Sequence, residues 1–509
     1  MSTLPTSGSP ASSDPVTYRA GTLKYTRLGL MQMLVWLLWG DFIFTLMERV
    51  LPSVMALLLK DLGASDMTIQ LLSRTVSSVL VFCMSPIVSF SSDRHRGRYG
   101  RRMPYMLWTT PFVAVCLILL GFYKDISLWL VGSDNTFFGM DIATMYIFTF
   151  GVLIIAFDVF NVFVNDVWFY LFNDVVPPQF FVRFQAIFRM VGTGASAVYS
   201  FFIFPNILAE WQWFDGVDNF KVVLVGAGIM YGVGFMLMCY MVKEGKYPKP
   251  TPINDGKKGT LEAAGLGALG RRFDNVVASI KIYTKECFTH RFYWYFFLWN
   301  MSLTMTGAIG TFVILRNIKS LGISMAQMGS LWGITSIVSI FLMYPAGWIA
   351  DKFHPVRVYY VLFIVSISKS VLEGVWIFWD FGPMGNFYYM IILSFGFMPF
   401  YAVRDLAAGP MQMMLLPKER YGQFCSANGM FRSLVMIGGS IVGALFMGVF
   451  SDGNDLLGVD SMGINAYRMW PVWDLIWMLI AFVFLTLLYR EWKKRGGMNG
   501  FTPPAVGEK

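Results

Sequence analysis

Charge is scarce in this sequence: 14% of its 509 residues are Asp, Glu, Lys or Arg, against 56% hydrophobic residues. A water-soluble protein of this length needs far more charge to cover its surface, so that class is excluded. Histidine is scarcer still, with His95, His290 and His354 each alone in a polar segment. Cys83, Cys116, Cys239, Cys287 and Cys425 show no pair at metal-ligand or redox spacing. A structural zinc site needs clustered ligands, so none is expected, and the thiols read as reduced and unpaired. No Walker A sequence, HExxH or nucleophile elbow lies in a polar segment, and no polar segment is long enough for a catalytic domain. An enzyme is therefore the reading with least support. A cleavable signal is not expected, because the polar stretch 1–27 is too long and a full-length apolar run follows it. Disorder is excluded for most of the chain, but the Ser/Pro/Thr-rich start predicts a disordered cytoplasmic tail over 1–27.

Long apolar runs are what the sequence has instead. About twenty apolar residues cross the hydrocarbon core as a helix, and longer runs tilt. Runs at 28–59, 67–90, 103–122, 142–172, 184–204 and 222–242 predict six spans. The polar segment 243–290 interrupts them, and six more follow at 292–315, 328–350, 358–379, 387–416, 424–450 and 472–489. The expected fold is all-α, twelve transmembrane helices in two six-helix bundles, 28–242 and 291–490, with a cytoplasmic tail over 491–509. The 47 phenylalanines and 17 tryptophans suit lipid-facing surfaces and interfacial belts.

The net charge of +9 is a statement of topology and not of nucleic-acid binding. With both termini cytoplasmic, about 28 basic residues fall inside, about six outside and about six within spans, as the positive-inside rule requires. The connector carries Lys257, Lys258, Arg271, Arg272, Lys281 and Lys285, and 273–288 could lie on the inner leaflet as an amphipathic helix. Gly265, Gly267 and Gly270 spell GxGxxG there, but no βαβ unit surrounds them, so the match is read as chance.

The halves echo each other. The loop after the second span contains Asp93, Arg94, Arg98, Arg101 and Arg102, and the loop after the eighth contains Asp351, Lys352 and Arg357. Asp174-Val-Val-Pro177 followed by Phe184 and Phe188-Arg189 recurs as Leu416-Pro417-Lys418-Glu419-Arg420 followed by Phe424 and Phe431-Arg432. Two echoes in the same order point to an internal repeat. Close spacing of Gly192, Gly194 and Ala195, and of Gly439 and Gly443, reads as helix packing.

These motifs resemble the major facilitator superfamily. The form P-x-x-x-x-x-S-D-R-x-x-x-R-x-G-R-R-x-P, with Asp174-x-Val-Pro177, is similar to the glycoside–pentoside–hexuronide:cation symporters and the related sucrose transporters, although Ser89 stands where that group has glycine. The resemblance implies an alternating-access carrier with its site between the halves. It implies a cytoplasmic latch of Asp93, Arg94, Arg98, Arg101, Arg102 and Asp174, with Arg94 or Arg98 pairing Asp174, repeated by Asp351, Lys352 and Glu419. Asp93 would face the N-terminus of span eleven, where the dipole favours an anion.

Ionisable groups inside spans are costly and therefore functional candidates. Asp41, Thr45 and Glu48 fall on one helical face of span one, with Arg49 beside it, and Asp158, Asn161 and Asn165 on one face of span four, with Asp166 at its edge. The resemblance implies a sugar site of Asp41, Asp166, Trp168, Tyr170 and Arg189. Asn300, Arg404 and Asp405 are the candidates in the second half, and the i,i+4 pair Lys369–Glu373 reads as structural. Arg74 and Arg432 are further cations within spans. Sodium-coupled relatives carry their cation acids on helix two, and span two as read above has none. Protons are thus the expected coupling ion and sodium the alternative, with Asp41, Glu48, Asp158 and Asp166 as carriers. No other cofactor is expected. The expected partners are a small solute and the lipid bilayer, for a monomer in a plasma or inner membrane. A same-fold carrier of an organic acid, amino acid or drug-like cation, and a non-transporting receptor or scaffold, remain the competing readings.

Overall fold

A computed structural model of the chain describes residues 18–20, 22–132, 141–177, 180–209, 212–245, 290–417, 421–455 and 458–504. Residues 1–17, most of the connector with its GxGxxG run and the 273–288 segment, and Glu419 lie outside the described residues. So do the side chains of Asp93, Arg94 and Asp351.

Twelve helices are long and apolar enough to cross a membrane. In order they are Arg27–Asp61, Asp66–Ser85, Met103–Gly121, Ile142–Phe172, Phe184–Asn206, Asn219–Met241, Arg291–Ser320, Met325–Ala350, Pro355–Phe378, Gly382–Leu415, Ala427–Ser451 and Gly463–Lys494, named here spans one to twelve. Their starts carry local signals. The Thr26 side chain caps span one, Ser65 caps span two, and Ser324 with Gln327 forms a reciprocal capping box at span eight. An even number of spans puts both chain ends on one side, the terminal side, and the opposite side is the far side.

Packing pairs reproduce the internal repeat. In the first half span one packs on five and six, three on four and six, and two on four. In the second half seven packs on eleven and twelve, nine on ten and twelve, and eight on ten. Each pair is its counterpart moved by six spans. Between the halves span two meets eleven, five meets eight, and one meets seven. Three short π-helical segments lie in the parts of spans that face this seam: Leu71–Thr75 in span two, Tyr199–Ile203 in five and Arg316–Ser320 in seven. One large buried cluster joins the first half to far-side residues of the second, including Phe312, Leu315, Trp376 and Tyr467. The terminal-side part of the second half packs separately around Phe292, Phe297, Phe424 and Trp492.

Three boundaries correct the sequence reading. The segment expected as a tail over 1–27 includes a two-stranded antiparallel hairpin, β1 (Tyr18–Ala20) and β2 (Leu23–Tyr25). Tyr18 packs edge-on to Phe180 at 5.1 Å, so an aromatic anchor ties this stretch down. Span two starts at Asp66 and so does contain an acid, which Lys60 neutralises at 2.9 Å. Span seven continues past Leu315 to Ser320, which brings Arg316 and Lys319 into it. Gly443 explains how closely eleven approaches seven: a Cβ there would lie 2.0 Å from an Ile309 side-chain carbon.

Candidate functional site

Span one supplies the first wall of a cavity between the halves. Asp41, Thr45 and Glu48 share a face, and Arg49 next to it is exposed. Span five presents Gly192 to that face; a Cβ there would stand 3.2 Å from Asp41 Oδ2 and 3.5 Å from Thr45 Oγ1. Asp41 is 4% exposed, and its Oδ2 has no hydrogen-bond partner among the described residues. Asn165 donates to Glu48 Oε1 at 3.1 Å, which ties span four to span one.

The cavity measures about 620 Å³ and is lined by Thr45, Glu48, Arg49, Pro52, Ser53, Ser196, Ser200, Trp332, Thr335 and Ser336. Its walls come from spans one and five on one side and span eight on the other. Six hydroxyls, a carboxyl, a guanidinium and an indole face a single space. Such a set can meet a polar solute with several directional hydrogen bonds and one aromatic face. Of these groups the sequence alone marks Thr45, Glu48 and Arg49. Ser196 and Ser200 one turn apart, and Thr335 and Ser336 on span eight, were the available signals for the rest. Ser200 sits in the π segment of span five, whose extra backbone step re-aims the residues after Val198.

The other acids of span four are brought to span two and not to the cavity. Ser77 donates to Asp158, and Ser85 donates to Asp166, so two serines eight residues apart serve two acids eight residues apart. Trp168 is a correction: it is fully buried in the first half, against Phe44, Phe172 and Phe235. Residues two apart point about 200° apart around a helix, so 166 and 168 cannot share a wall. Tyr170 is also displaced, toward the terminal side, where the Arg102 guanidinium lies 5.0 Å from its ring. Arg189 is exposed on span five, and no described contact joins it to Asp41 or Asp166.

In the second half Asn300 donates to the Phe296 carbonyl of its own helix at 3.0 Å. Arg404 pairs with its neighbour Asp405 at 2.8 Å, donates to Ser366 at 2.7 Å and lies over the Tyr401 ring. Arg432 donates to Thr304 at 3.3 Å, whereas Arg74 crosses the seam to Thr311 at 3.2 Å. The Lys369–Glu373 pair is present and is joined by Arg316, 3.0 Å from Glu373.

The charged loop expected to act as a latch has different partners from those expected. Asp174 is gripped by Arg101 through two nitrogens and by Arg102 at 3.4 Å; Arg98 is exposed. The chain turns back between Gly97 and Gly100, which puts Arg98 at the exposed tip and leaves Arg101 and Arg102 beside Asp174 of the fourth long helix. Glu244, absent from the sequence reading, accepts the backbone N–H groups of Arg102 at 2.8 Å and Met103 at 3.1 Å. It thereby caps span three. Burial raises its carboxyl above the usual range, and those N–H groups pull it back. Gly100 must be glycine here, because φ is +105° and a Cβ would meet Glu244 at 2.3 Å. In the repeat, Lys352 is exposed and rests over the Trp348 ring at 4.6 Å.

The sequence profile of the Major Facilitator Superfamily matches residues 37–440. Curated protein sequences give no match. Among solved structures, the chain is similar to a bacterial homologue of the human lysosomal transporter Spinster, inward-facing and unoccupied, with a TM-score of 0.61, 15% identity, and 92% of this chain and 99% of that one covered. A bacterial homologue of the iron transporter ferroportin, inward-facing, matches with a TM-score of 0.60 and 12% identity over 90% and 99%. A D-xylose–proton symporter matches with a TM-score of 0.57 and 13% identity over 89% and 97%. At these identities the likeness is one of fold.

Proposed function

The chain belongs to the major facilitator superfamily, and on that premise we propose that it is a secondary active transporter moving a small polar solute, a sugar or glycoside, by proton-coupled symport with alternating access. The observation that carries this reading is the hydroxyl-rich cavity between the halves, set beside the buried carboxyl of Asp41. A polyhydroxylated solute matches six hydroxyls, and Glu48 and Arg49 can each bind two of its oxygens at once. Trp332 offers the apolar face that a sugar ring also has. In this reading Glu48 and Arg49 meet the solute, while Asp158 and Asp166 hold span four to span two. Asp41 carries the proton: it adjoins the cavity, lacks a described cation partner and changes charge by one on protonation. The orientation has both termini cytoplasmic, as the basic loops require.

Purified protein in proteoliposomes, given labelled D-xylose or sucrose under an imposed pH gradient, tests this directly. Accumulation that collapses when the gradient is dissipated is the expected result. Asp41→Asn should abolish accumulation while leaving solute exchange in place. If neither sugar is taken up, or uptake ignores the pH gradient, the sugar–proton reading is wrong.

A further inference from the structure

Outside the cavity, the far-side part of the second half buries another set of ionisable groups. Arg316 of span seven is held between the Trp376 and Trp470 rings, 5.1 and 5.0 Å away, and donates to Glu373 at 3.0 Å. Lys369 donates to the same carboxylate from one turn earlier on span nine. Both cations are therefore engaged by Glu373. Asp474 of span twelve, 5% exposed, faces the same group, but its described hydrogen bond comes from the Ser370 hydroxyl at 2.5 Å. Tyr401 of span ten completes the surroundings, with its ring 5.7 Å from the Lys369 ammonium.

Ser370 has two oxygen acceptors within reach, Asp474 Oδ2 at 2.5 Å and the Ser366 carbonyl at 3.4 Å, with the weakly accepting Met478 sulfur at 3.9 Å. A hydroxyl has one proton and two lone pairs. When Asp474 is ionised, Ser370 donates to it. When a proton from water sits on Oδ2, the carboxyl donates to Ser370 Oγ, and Ser370 turns its own proton to the Ser366 carbonyl. One hydroxyl rotation thus satisfies both protonation states. The serines on Asp158 and Asp166 have no second described acceptor of this kind. The charge has a reader as well: Arg316 is fixed between two rings, but Lys369 is flexible and its side chain is 25% exposed.

We propose that Asp474 is a proton-binding group of the transport cycle, and that Lys369 responds to its charge by moving between Glu373 and Asp474. The proposal rests on the proton-coupled reading above but concerns residues outside the cavity. Taking up one proton changes the summed charge of Arg316, Lys369, Glu373 and Asp474 from zero to +1. The Lys369 ammonium then remains on Glu373; loss of the proton draws it toward Asp474.

Difference infrared spectra of the purified full-length protein, recorded as pH is stepped, test this without any solute. A carboxylic-acid C=O signal present in the wild type and missing in Asp474→Asn is expected; identical difference spectra overturn the proposal. Ser370→Ala keeps the carboxyl and removes the rotating hydroxyl, which guards against a variant that fails to fold. It should move the signal along the pH axis by about one unit, a tenfold change in proton affinity. A signal that stays in place overturns the hydroxyl switch. In proteoliposomes, Asp474→Asn should lose at least about tenfold in gradient-driven accumulation with exchange retained; normal accumulation overturns the role in the cycle. Wild-type uptake that ignores the pH gradient would instead sink the transport reading, leaving the infrared result to stand or fall by itself.

Discussion

At the far end of the seam, side chains of one half bond side chains of the other. Thr75 meets Ser440 at 2.8 Å, the Tyr467 hydroxyl donates to Asp66 at 2.5 Å, Lys319 pairs with Asp61 at 2.6 Å, and Phe204 packs on Trp332. At the terminal end, the described ion pairs stay within a half: Arg101 and Arg102 with Asp174 in the first, Arg291 with Glu491 in the second. The buried clusters divide the same way, fused toward the far side and separate toward the terminal side. In the alternating-access reading proposed above, a bond across the seam exists only while that end is closed, so its energy biases the choice between states. A bond inside a half exists in every state and contributes to the stability of the bundle alone. Connectivity, more than location or strength, decides which quantity a mutation moves.

The largest expected effect tests the within-half class. Asp174→Asn removes the carboxylate that Arg101 and Arg102 share, while Arg101 keeps Glu244 at 4.0 Å; the Arg102 side chain is 6% exposed. Breaking a buried pair from one side should cost roughly 3 kcal/mol, read as a lower unfolding midpoint of the purified protein. Labelling of a Ser53→Cys reporter by an impermeant thiol reagent from the far side should not change. Faster labelling would break the distinction, because a pair inside one half would then be controlling the other end of the seam.

A smaller effect tests the cross-seam class. Gly329 of span eight lies so close to span five that a Cβ would stand 2.4 Å from the Ser200 carbonyl oxygen and 2.8 Å from Pro205. Gly329→Ala should cost the far-closed state about 1–3 kcal/mol, which shifts the population of states by about 5–150-fold. The Ser53→Cys reporter should label correspondingly faster, with the unfolding midpoint nearly unchanged. A lower midpoint without faster labelling would mean that span eight packs there for stability only.

Much of this architecture is legible in the sequence, since hydropathy alone marks twelve runs, and the packing pairs follow from the repeat. The site is less legible, for physical reasons. The rule that charge inside a span is costly finds Asp41, Glu48, Asp158 and Asp166, but it cannot tell a carboxyl facing a cavity from one tied to a serine on the next helix. It passes over Ser196, Ser200, Thr335 and Ser336, because hydroxyls in spans commonly bond their own helix backbone, as Ser200 does to the Ser196 carbonyl at 2.8 Å. Asp474 lies within the run 472–489 and stands as a lone acid with no other charge on its face; Arg316 escapes for another reason. A hydropathy window ends a span at its first charge, whereas the π segment Arg316–Ser320 carries span seven on past it.

The smallest expected effect separates connectivity from location. Asp380 lies at the far side, yet its partner Arg468, 2.7 Å away, belongs to the same half. Asn386 and the Gly382 N–H also donate to it, both at 2.9 Å. The Arg468 hydrogen bond, followed by those two, holds its carboxyl down at about 2. A depressed carboxyl stabilises the fold fully above its ordinary value of about 4, and the contribution is lost as pH falls through about 2. Its side chain is 50% exposed, so solvent screening reduces the gain to about 1 kcal/mol at most. Asp380→Asn should therefore lower the unfolding midpoint slightly at neutral pH, and the difference from wild type should shrink as pH drops from about 4 toward 2. Far-side labelling of the Ser53→Cys reporter should stay constant throughout. If labelling rises while the midpoint holds, position at the far end is sufficient to bias the states, and the contrast between cross-seam and within-half bonds has to be redrawn around location.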